Sequence, residues 1–155
     1  MMATQKILLP FNYTLHDQKA VDFVIHTFAR NEEVELTIFH AYAAVPEIET
    51  QDTSVMGKLK GNLSYLSQKI TQQESELKKI RQKLVQAGFG EQRLHTIFRP
   101  RKKDIATEII DLAVKDHFNV VVINHRTGKV TRFFTGSVFN KVVTVLKDTT
   151  VCIVT

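Results

Sequence analysis

The feature that most constrains this chain is a regular alternation of short apolar runs with longer amphipathic stretches. The apolar runs predict five strands, at Gln5–Pro10, Val34–Tyr42, 93–98, Val120–Asn124 and 151–155. Between them, apolar spacing predicts helices over residues 15–30, from about 59 to 88, over 105–113 and over 137–146, with Thr14 and Asp104 as the N-caps of the first and third. Strict alternation implies parallel strands joined by right-handed crossovers. The sequence therefore predicts an α/β fold with an open five-stranded parallel sheet and helices on both faces.

Length and composition fit one domain that spans residues 1–155. The chain is 43% hydrophobic and 24% charged, which is ordinary globular composition and excludes a disordered or low-complexity protein. Cys152 is the single cysteine, so the chain forms no intramolecular disulfide, and no metal site is expected. No apolar run approaches a membrane span, and the N-terminus lacks the features of a secretory signal. We expect a cytoplasmic protein without membrane contact.

The longest predicted helix carries a continuous apolar stripe. Its residues recur at intervals of three, four or seven: Leu59, Leu63, Leu66, Ile70, Leu77, Ile80 and Leu84. The stripe is similar to a coiled-coil seam, but it also suits a long helix that covers its own sheet. We favour the second interpretation, because the repeat misses at Gln73 and the Ser and Gln content is high.

The basic residues are concentrated in one segment. The formal net charge is +5, and residues 54–103 hold twelve basic residues against three acidic ones. This excess indicates either an anionic partner or a solvated helix face followed by a basic loop. Only Tyr65, Phe89 and Phe98 lie among the basic residues as stacking partners, so a nucleic-acid partner is not expected.

Four loops follow the carboxyl ends of predicted strands, where open α/β sheets bind ligands. The last of these loops holds Gly128, Gly136 and Ser137, with Arg126, Lys129 and Arg132 among them. Backbone N–H groups and basic side chains beside a helix N-terminus suit a small anion, because both favour negative charge. Gly136 and Ser137 also suit a simple turn and helix cap. The local sequence leaves both interpretations open.

Four stretches of the chain resemble the universal stress protein family. These are residues 6–10, 36–41, 104–113 and 120–155, and the most specific runs from His125 through GSVFNKVV to the terminal VCIVT. The resemblance covers essentially the whole chain. It implies a Rossmann-like fold, an adenine nucleotide such as ATP as the ligand, and a homodimer joined through the terminal edge strand from Thr150 to Thr155.

The chain departs from the family's glycine pattern. The pattern typical of the family's nucleotide-binding members is Gly, two residues, Gly, nine residues and then Gly-Ser or Gly-Thr. This sequence keeps only the end of that pattern, as Gly136-Ser137-Val138. Counting back from Gly136, Arg126 stands at the second glycine position of the pattern and Ile123 at the first. If the end of the preceding strand is matched to the family instead, Asn124 takes the first glycine position. Arg126 either fills phosphate space or offers a guanidinium to an anion.

The positions that the resemblance assigns to adenine and ribose also differ. A typical Pro-apolar-Asp at the end of the first strand is here Pro10-Phe11-Asn12, and Ala41 stands at the end of the second. Asn12 keeps an amide for hydrogen bonding but lacks the carboxylate that accepts two hydroxyl protons well. The predicted site is therefore more cationic and less glycine-rich than that of a typical ATP-binding member.

These observations favour a non-enzymatic stress-response protein that acts as a dimeric binding or regulatory module with a degenerate nucleotide or anion site. No catalytic constellation is visible, and we expect His125 and His40 to be structural. The alternative is an ATP- or AMP-binding member, slowly ATP-hydrolysing, that uses Arg126, Lys129 and Arg132 for phosphate. The candidate binding residues are Pro10, Phe11, Asn12, Ala41, Ile123, Asn124, Arg126, Lys129, Arg132, Gly136, Ser137 and Val138.

Overall fold

The fold is a five-stranded parallel sheet with two helices on each face. The computed structural model describes residues 4–45, 53–125 and 137–155, with the side chains of 53–56 and 137 outside that description. The strands are β1 (Gln5–Pro10), β2 (Val34–Tyr42), β3 (Leu94–Pro100), β4 (Val120–Asn124) and β5 (Thr150–Val154). The helices are α1 (Leu15–Phe28), α2 (Thr53–Gln86), α3 (Ile105–Lys115) and α4 (Ser137–Val145). The predicted order of elements is confirmed.

The strand order is β3-β2-β1-β4-β5, and all four pairings are parallel. The order reverses between β1 and β4, and β5 lies at an edge. β3 runs to Pro100, two residues beyond the predicted end, because its pairing with β2 continues to Tyr42. β1 and β4 are almost entirely buried, which explains why their sequences are continuous apolar runs.

Side-chain alternation along the strands divides the core into two layers. Ile7 and Leu9 of β1 point to one face, where they pack with α1 and α2. Leu8 points to the other face, where it packs with α3 and α4. Both layers are continuous clusters of buried apolar residues, so both sheet faces are covered, as the alternation of elements predicts.

Side-chain caps fix the beginnings of α1 and α3. Thr14 accepts a hydrogen bond from the Asp17 backbone N–H, and the Asp17 carboxylate accepts one from the Thr14 backbone N–H, which forms a capping box. Asp104 accepts from the Thr107 backbone N–H at 2.9 Å. Both caps were predicted at Thr14 and Asp104 from sequence. Because α1 and α3 each follow a strand, the N-termini of both helices lie at the carboxyl edge of the sheet.

Only the C-terminal part of α2 covers the sheet. Leu77, Ile80 and Leu84 are buried against it, whereas the stripe residues nearer the N-terminus are partly exposed. The favoured interpretation, a helix that covers its own sheet, is therefore correct for residues 77–84 alone.

Gly88 ends the turn after α2 with a backbone conformation that L side chains rarely adopt. Its φ is 121°, and a Cβ there would lie 3.6 Å from the Ala29 carbonyl oxygen. We expect Gly88→Ala to lower the free energy of unfolding by about 1–3 kcal/mol, because an alanine at this positive φ would strain the backbone of the folded state. The matched control is Gly61→Ala in α2, where a Cβ meets nothing within 4 Å. Gly61→Ala should raise the free energy of unfolding by about 0.5–1 kcal/mol, because alanine is favoured over glycine inside a helix. Urea titrations followed by circular dichroism would measure both variants. Equal effects at both sites would contradict this account.

Candidate functional site

A buried carboxylate joins three elements at the point where the strand order reverses. Asp17, in the first turn of α1, is 1% exposed. One of its oxygens accepts hydrogen bonds from the backbone N–H groups of Asn12 and Thr14 and from the Thr14 hydroxyl. The other accepts from the side-chain amide of Asn124 at the end of β4. Asp17 therefore fixes the β1 loop and the end of β4 relative to each other at the carboxyl edge of the sheet.

An aromatic cluster fills the edge beside β1 and β2. The rings of Phe11 and Tyr13 meet edge to face at 4.9 Å, and Tyr13 meets His40 at 4.7 Å. His40 stacks on Phe98 at 5.7 Å, and Tyr42 lies 4.7 Å from Phe98. Such contacts stabilise the edge beyond simple burial. The cluster occupies the space next to the residues that were assigned to the adenine.

His40 is a structural residue of this cluster. Its Nδ1 lies 2.7 Å from the Phe11 carbonyl oxygen, and since that oxygen only accepts, Nδ1 carries the proton. Burial lowers the pKa of His40, although the Phe11 carbonyl and the Gln73 side chain oppose this shift. A neutral imidazole with a backbone partner matches the structural role expected for His40.

Tyr13 connects the cluster to α2. Its hydroxyl donates to the Gln73 carbonyl oxygen at 2.6 Å, and its φ is 63°. Burial raises the pKa of Tyr13 above its ordinary value, and Glu76 and Glu74 of α2 raise it further. The phenol therefore stays protonated and remains a donor. This contact places Gln73 level with the carboxyl edge of the sheet.

A basic cleft of about 940 Å³ lies at the carboxyl edge on the sheet face that α3 and α4 cover. It opens between the N-terminal turns of these two helices. Its volume lies within the usual range for small-molecule sites. Four basic side chains contribute to its lining, against one carboxylate. The described lining residues are Arg101, Lys102, Lys103, Asp104, Ile105, Ala106, Val138 and Lys141.

The basic loop of this cleft is held by backbone and buried contacts. The Arg101 N–H donates to the Tyr42 carbonyl at 2.7 Å, and the Lys103 N–H donates to Glu108 at 3.2 Å. Glu108 is 7% exposed and pairs with Arg99 at 3.6 Å. Arg99 is therefore engaged with the protein's own carboxylate and is less available to a ligand.

Existing ion pairs divide the cations of the cleft into two groups. Lys103 pairs with Asp111 at 2.8 Å, and Lys141 pairs with Asp104 at 3.3 Å. Hydrogen bonds from Thr107, together with Lys141, lower the pKa of Asp104 to about 2. Within the described part of the chain, Arg101 and Lys102 form no ion pair, in contrast to Lys103 and Lys141.

The structure places the described candidate residues along one edge, in different environments. Phe11, Ala41 and Ile123 are almost fully buried and expose little side-chain surface to a ligand. Pro10 ends β1 beside Phe39 of β2, and Asn12 is exposed in the loop that follows.

The candidates from the last loop fall into two sets. Ser137 begins α4, and Val138 lines the basic cleft. Arg126, Lys129, Arg132 and Gly136 lie outside the described residues, so the proposal that they contact phosphate stays a prediction.

Sequence reasoning missed Asp17, Tyr13 and Lys141. For Asp17 a signal was present, because Thr followed three residues later by an acid at a helix start is typical of a capping box. Lys141 carries no local signal: it reaches Asp104 and Thr107 only because α4 packs beside α3.

In the ranges 4–45, 53–125 and 137–155, no group of three metal-ligating side chains lies together. In the same ranges, no helix is both long and apolar enough to cross a bilayer. Burial raises the pKa of the Cys152 thiol, which disfavours the reactive thiolate.

A model of the universal stress protein family matches residues 3–151. A comparison with curated protein sequences finds no significant match. Among solved structures, the universal stress protein UspA from Lactobacillus plantarum superposes with a TM-score of 0.68 at 16% identity, over 100% of both chains.

Two further solved structures contain adenine nucleotides. A universal stress protein in complex with cAMP gives a TM-score of 0.65 at 17% identity and covers 99% of this chain and 98% of that one. A universal stress protein family protein from Arabidopsis thaliana with AMP bound gives 0.57 at 14% identity, over 97% and 90%. At these identities the likeness shows the Rossmann-like fold, and the bound nucleotides belong to those proteins.

Proposed function

Because the chain belongs to the universal stress protein family, we propose that it is a stress-response protein that binds a small phosphorylated ligand at the carboxyl edge of its sheet. The observation that carries the proposal is the basic cleft, where Arg101 and Lys102 face a space flanked by two helix N-termini. Basic side chains and helix N-termini both favour phosphate oxygens.

An adenine nucleotide is the ligand class that this proposal favours. Two structurally similar proteins bind cAMP and AMP, and the cleft lies at the same edge as the end of β4 and the reversal of strand order. The volume of the cleft admits a mononucleotide.

The base should contribute less to binding than the phosphates. Phe11 and Ala41 are nearly buried, and Tyr13 and His40 occupy the neighbouring space. Asn12 offers an amide, where a carboxylate would accept ribose hydroxyl protons better. Binding led by the phosphates therefore matches a degenerate nucleotide site, and we propose a binding or regulatory role without catalysis.

We further propose a homodimer through β5. This strand pairs with β4 on one side and is the edge of the sheet, and Ile153 on it is 41% exposed. Edge strands are templates for pairing with a second chain. We also propose that the protein is cytoplasmic, because a chain with a single cysteine suits a reducing compartment.

Titration calorimetry with ATP, ADP and AMP at two salt concentrations tests the ligand class. We expect binding that weakens from ATP to AMP and weakens at high salt, since exposed cations contact the phosphates. Arg101→Ala with Lys102→Ala should lower ATP affinity about tenfold or more, because two charge-assisted contacts are lost.

The control is Lys78→Ala with Lys115→Ala, which removes the same charge from exposed positions away from the cleft. This pair should keep the wild-type affinity. No binding up to millimolar ATP, or an equal loss in both double variants, would refute the proposed site.

A further inference from the structure

The basic cleft already contains an anion that belongs to the protein itself. Asp104 supplies the one carboxylate among the described residues that line the cleft, and its side chain is 61% exposed. It stands immediately before α3 and caps the N-terminus of that helix. The carboxylate therefore lies where a ligand phosphate would also be attracted, at a helix N-terminus beside basic side chains.

Asp104 occupies the groups of α3 that attract an anion. One carboxylate oxygen accepts a hydrogen bond from the Thr107 backbone N–H at 2.9 Å, and the other accepts one from the Thr107 hydroxyl at 2.7 Å. These hydrogen bonds lower the pKa of the Asp104 carboxyl to about 2, so the group is negatively charged at neutral pH. The dipole of α3 is therefore complemented before a ligand arrives.

Lys141 is held in the same network. Its ammonium group donates to the Thr107 hydroxyl oxygen at 2.5 Å and lies 3.3 Å from both carboxylate oxygens of Asp104. The Thr107 hydroxyl can accept from Lys141 while it donates to Asp104, because it has one proton and two lone pairs. These contacts hold Lys141 against α3, although its side chain is 45% exposed and also lines the cleft.

We propose that Asp104 is a specificity-determining residue of the basic cleft, which competes with the phosphates of the ligand for Lys141 and so limits the negative charge that the cleft accepts. This inference rests on the proposed function, because it concerns the same ligand. Arg101 and Lys102 form no ion pair in the described part of the chain, so a phosphate can reach them directly. Lys141 contributes fully only when the ligand replaces Asp104 as its partner.

The charges of the cleft explain why the effect depends on the ligand. The described lining holds four cations and one carboxylate, and an amide at position 104 would remove the single negative charge. A triphosphate spreads its charge over three phosphoryl groups, so it meets more of these side chains than a single phosphate does. Asp104 should therefore weaken the binding of ATP more than that of AMP, since repulsion grows with the charge nearby.

Asp104→Asn tests this competition, because asparagine keeps a side-chain oxygen that can cap α3 and removes the charge. In calorimetry at low salt, we expect about three- to tenfold tighter binding of ATP and of inorganic triphosphate. AMP should bind less than about twofold tighter. The gain should shrink at high salt, since Lys141 is partly exposed.

Asp22→Asn is the matched control for charge. Asp22 also pairs with a lysine at the surface, Lys83 at 3.2 Å, but it belongs to α1 on the other face of the sheet. The substitution changes the net charge by the same amount and frees a lysine away from the cleft, so nucleotide affinities should keep their wild-type values. Equal gains for Asp22→Asn and Asp104→Asn would overturn the proposal, because net charge alone would then account for them.

Lys141→Met in the Asp104→Asn background identifies the cation that is released. This double variant has the same net charge as the wild type, and methionine keeps an unbranched apolar side chain at position 141. It should lose the gain and bind inorganic triphosphate no tighter than the wild type does. A gain that survives the loss of Lys141 would contradict the proposed competition.

The comparison of ATP with inorganic triphosphate separates this inference from the proposed function. Tighter triphosphate binding by Asp104→Asn, without ATP binding by the wild type, would support the role of Asp104 and refute a nucleotide as the ligand. Wild-type ATP binding that is unchanged or weakened in Asp104→Asn would overturn the role of Asp104 and leave the proposed function in place. No binding of either compound by any variant would refute both.

Discussion

Leu84→Ala should lower the free energy of unfolding by about 2–5 kcal/mol, the range for truncating a buried leucine. Leu84 is 0% exposed and belongs to the core layer under α1 and α2. The substitution removes apolar contacts and leaves a cavity between α2 and the sheet, since the neighbouring strands can collapse only in part.

The matched control is Leu15→Ala in the first turn of α1. Leu15 is 87% exposed, so the same chemical change should alter stability by no more than about 0.5 kcal/mol. Urea unfolding followed by circular dichroism measures both variants. Similar losses for the two would mean that α2 does not pack on the sheet as described.

Asp17→Ala should have the second large effect and lower the free energy of unfolding by about 2–4 kcal/mol. The substitution removes the capping box of α1 and leaves the Asn12 and Thr14 N–H groups and the Asn124 amide without their acceptor. These groups belong to the loop after β1 and to the end of β4, so both should loosen.

Asp22→Ala is the control for charge on the same helix. Asp22 pairs with Lys83 at 3.2 Å on the surface, and exposed ion pairs contribute about 0–1 kcal/mol. Hydrogen exchange adds a local measurement: the β4 amides should lose protection in Asp17→Ala and keep it in Asp22→Ala. A loss for Asp17→Ala no larger than that for Asp22→Ala would contradict the role given to Asp17.

The arrangement of elements could be predicted because it follows from local periodicity. Continuous apolar runs such as Val120–Asn124 belong to strands buried on both faces, and caps such as Thr14 and Asp104 mark helix starts. The predicted ends were less accurate where pairing decides them. β3 continues to Pro100 because β2 offers partners that far, which no feature of β3 itself shows.

That the described candidate residues share the carboxyl edge of the sheet could be predicted from sequence, whereas their contacts could not, and ligand binding there stays a prediction. The carboxyl edge follows from the alternating order of strands and helices. The aromatic cluster does not, because Tyr13 and His40 are 27 residues apart in the sequence and meet only across two strand ends. Lys141 joins the cleft for a similar reason, through the packing of α4 on α3.

By itself, the sequence determined the α/β class, the order of nine elements and the edge of the sheet at which the candidate residues lie, because these depend on apolar spacing and capping residues close along the chain. Tertiary structure alone decided what that edge contains: a buried Asp17, an aromatic cluster around Tyr13 and His40, and a basic cleft. It also divided the stripe of α2 into a buried part and an exposed part. The apolar pattern is the same along the whole helix, and only the extent of the sheet beneath it makes the difference.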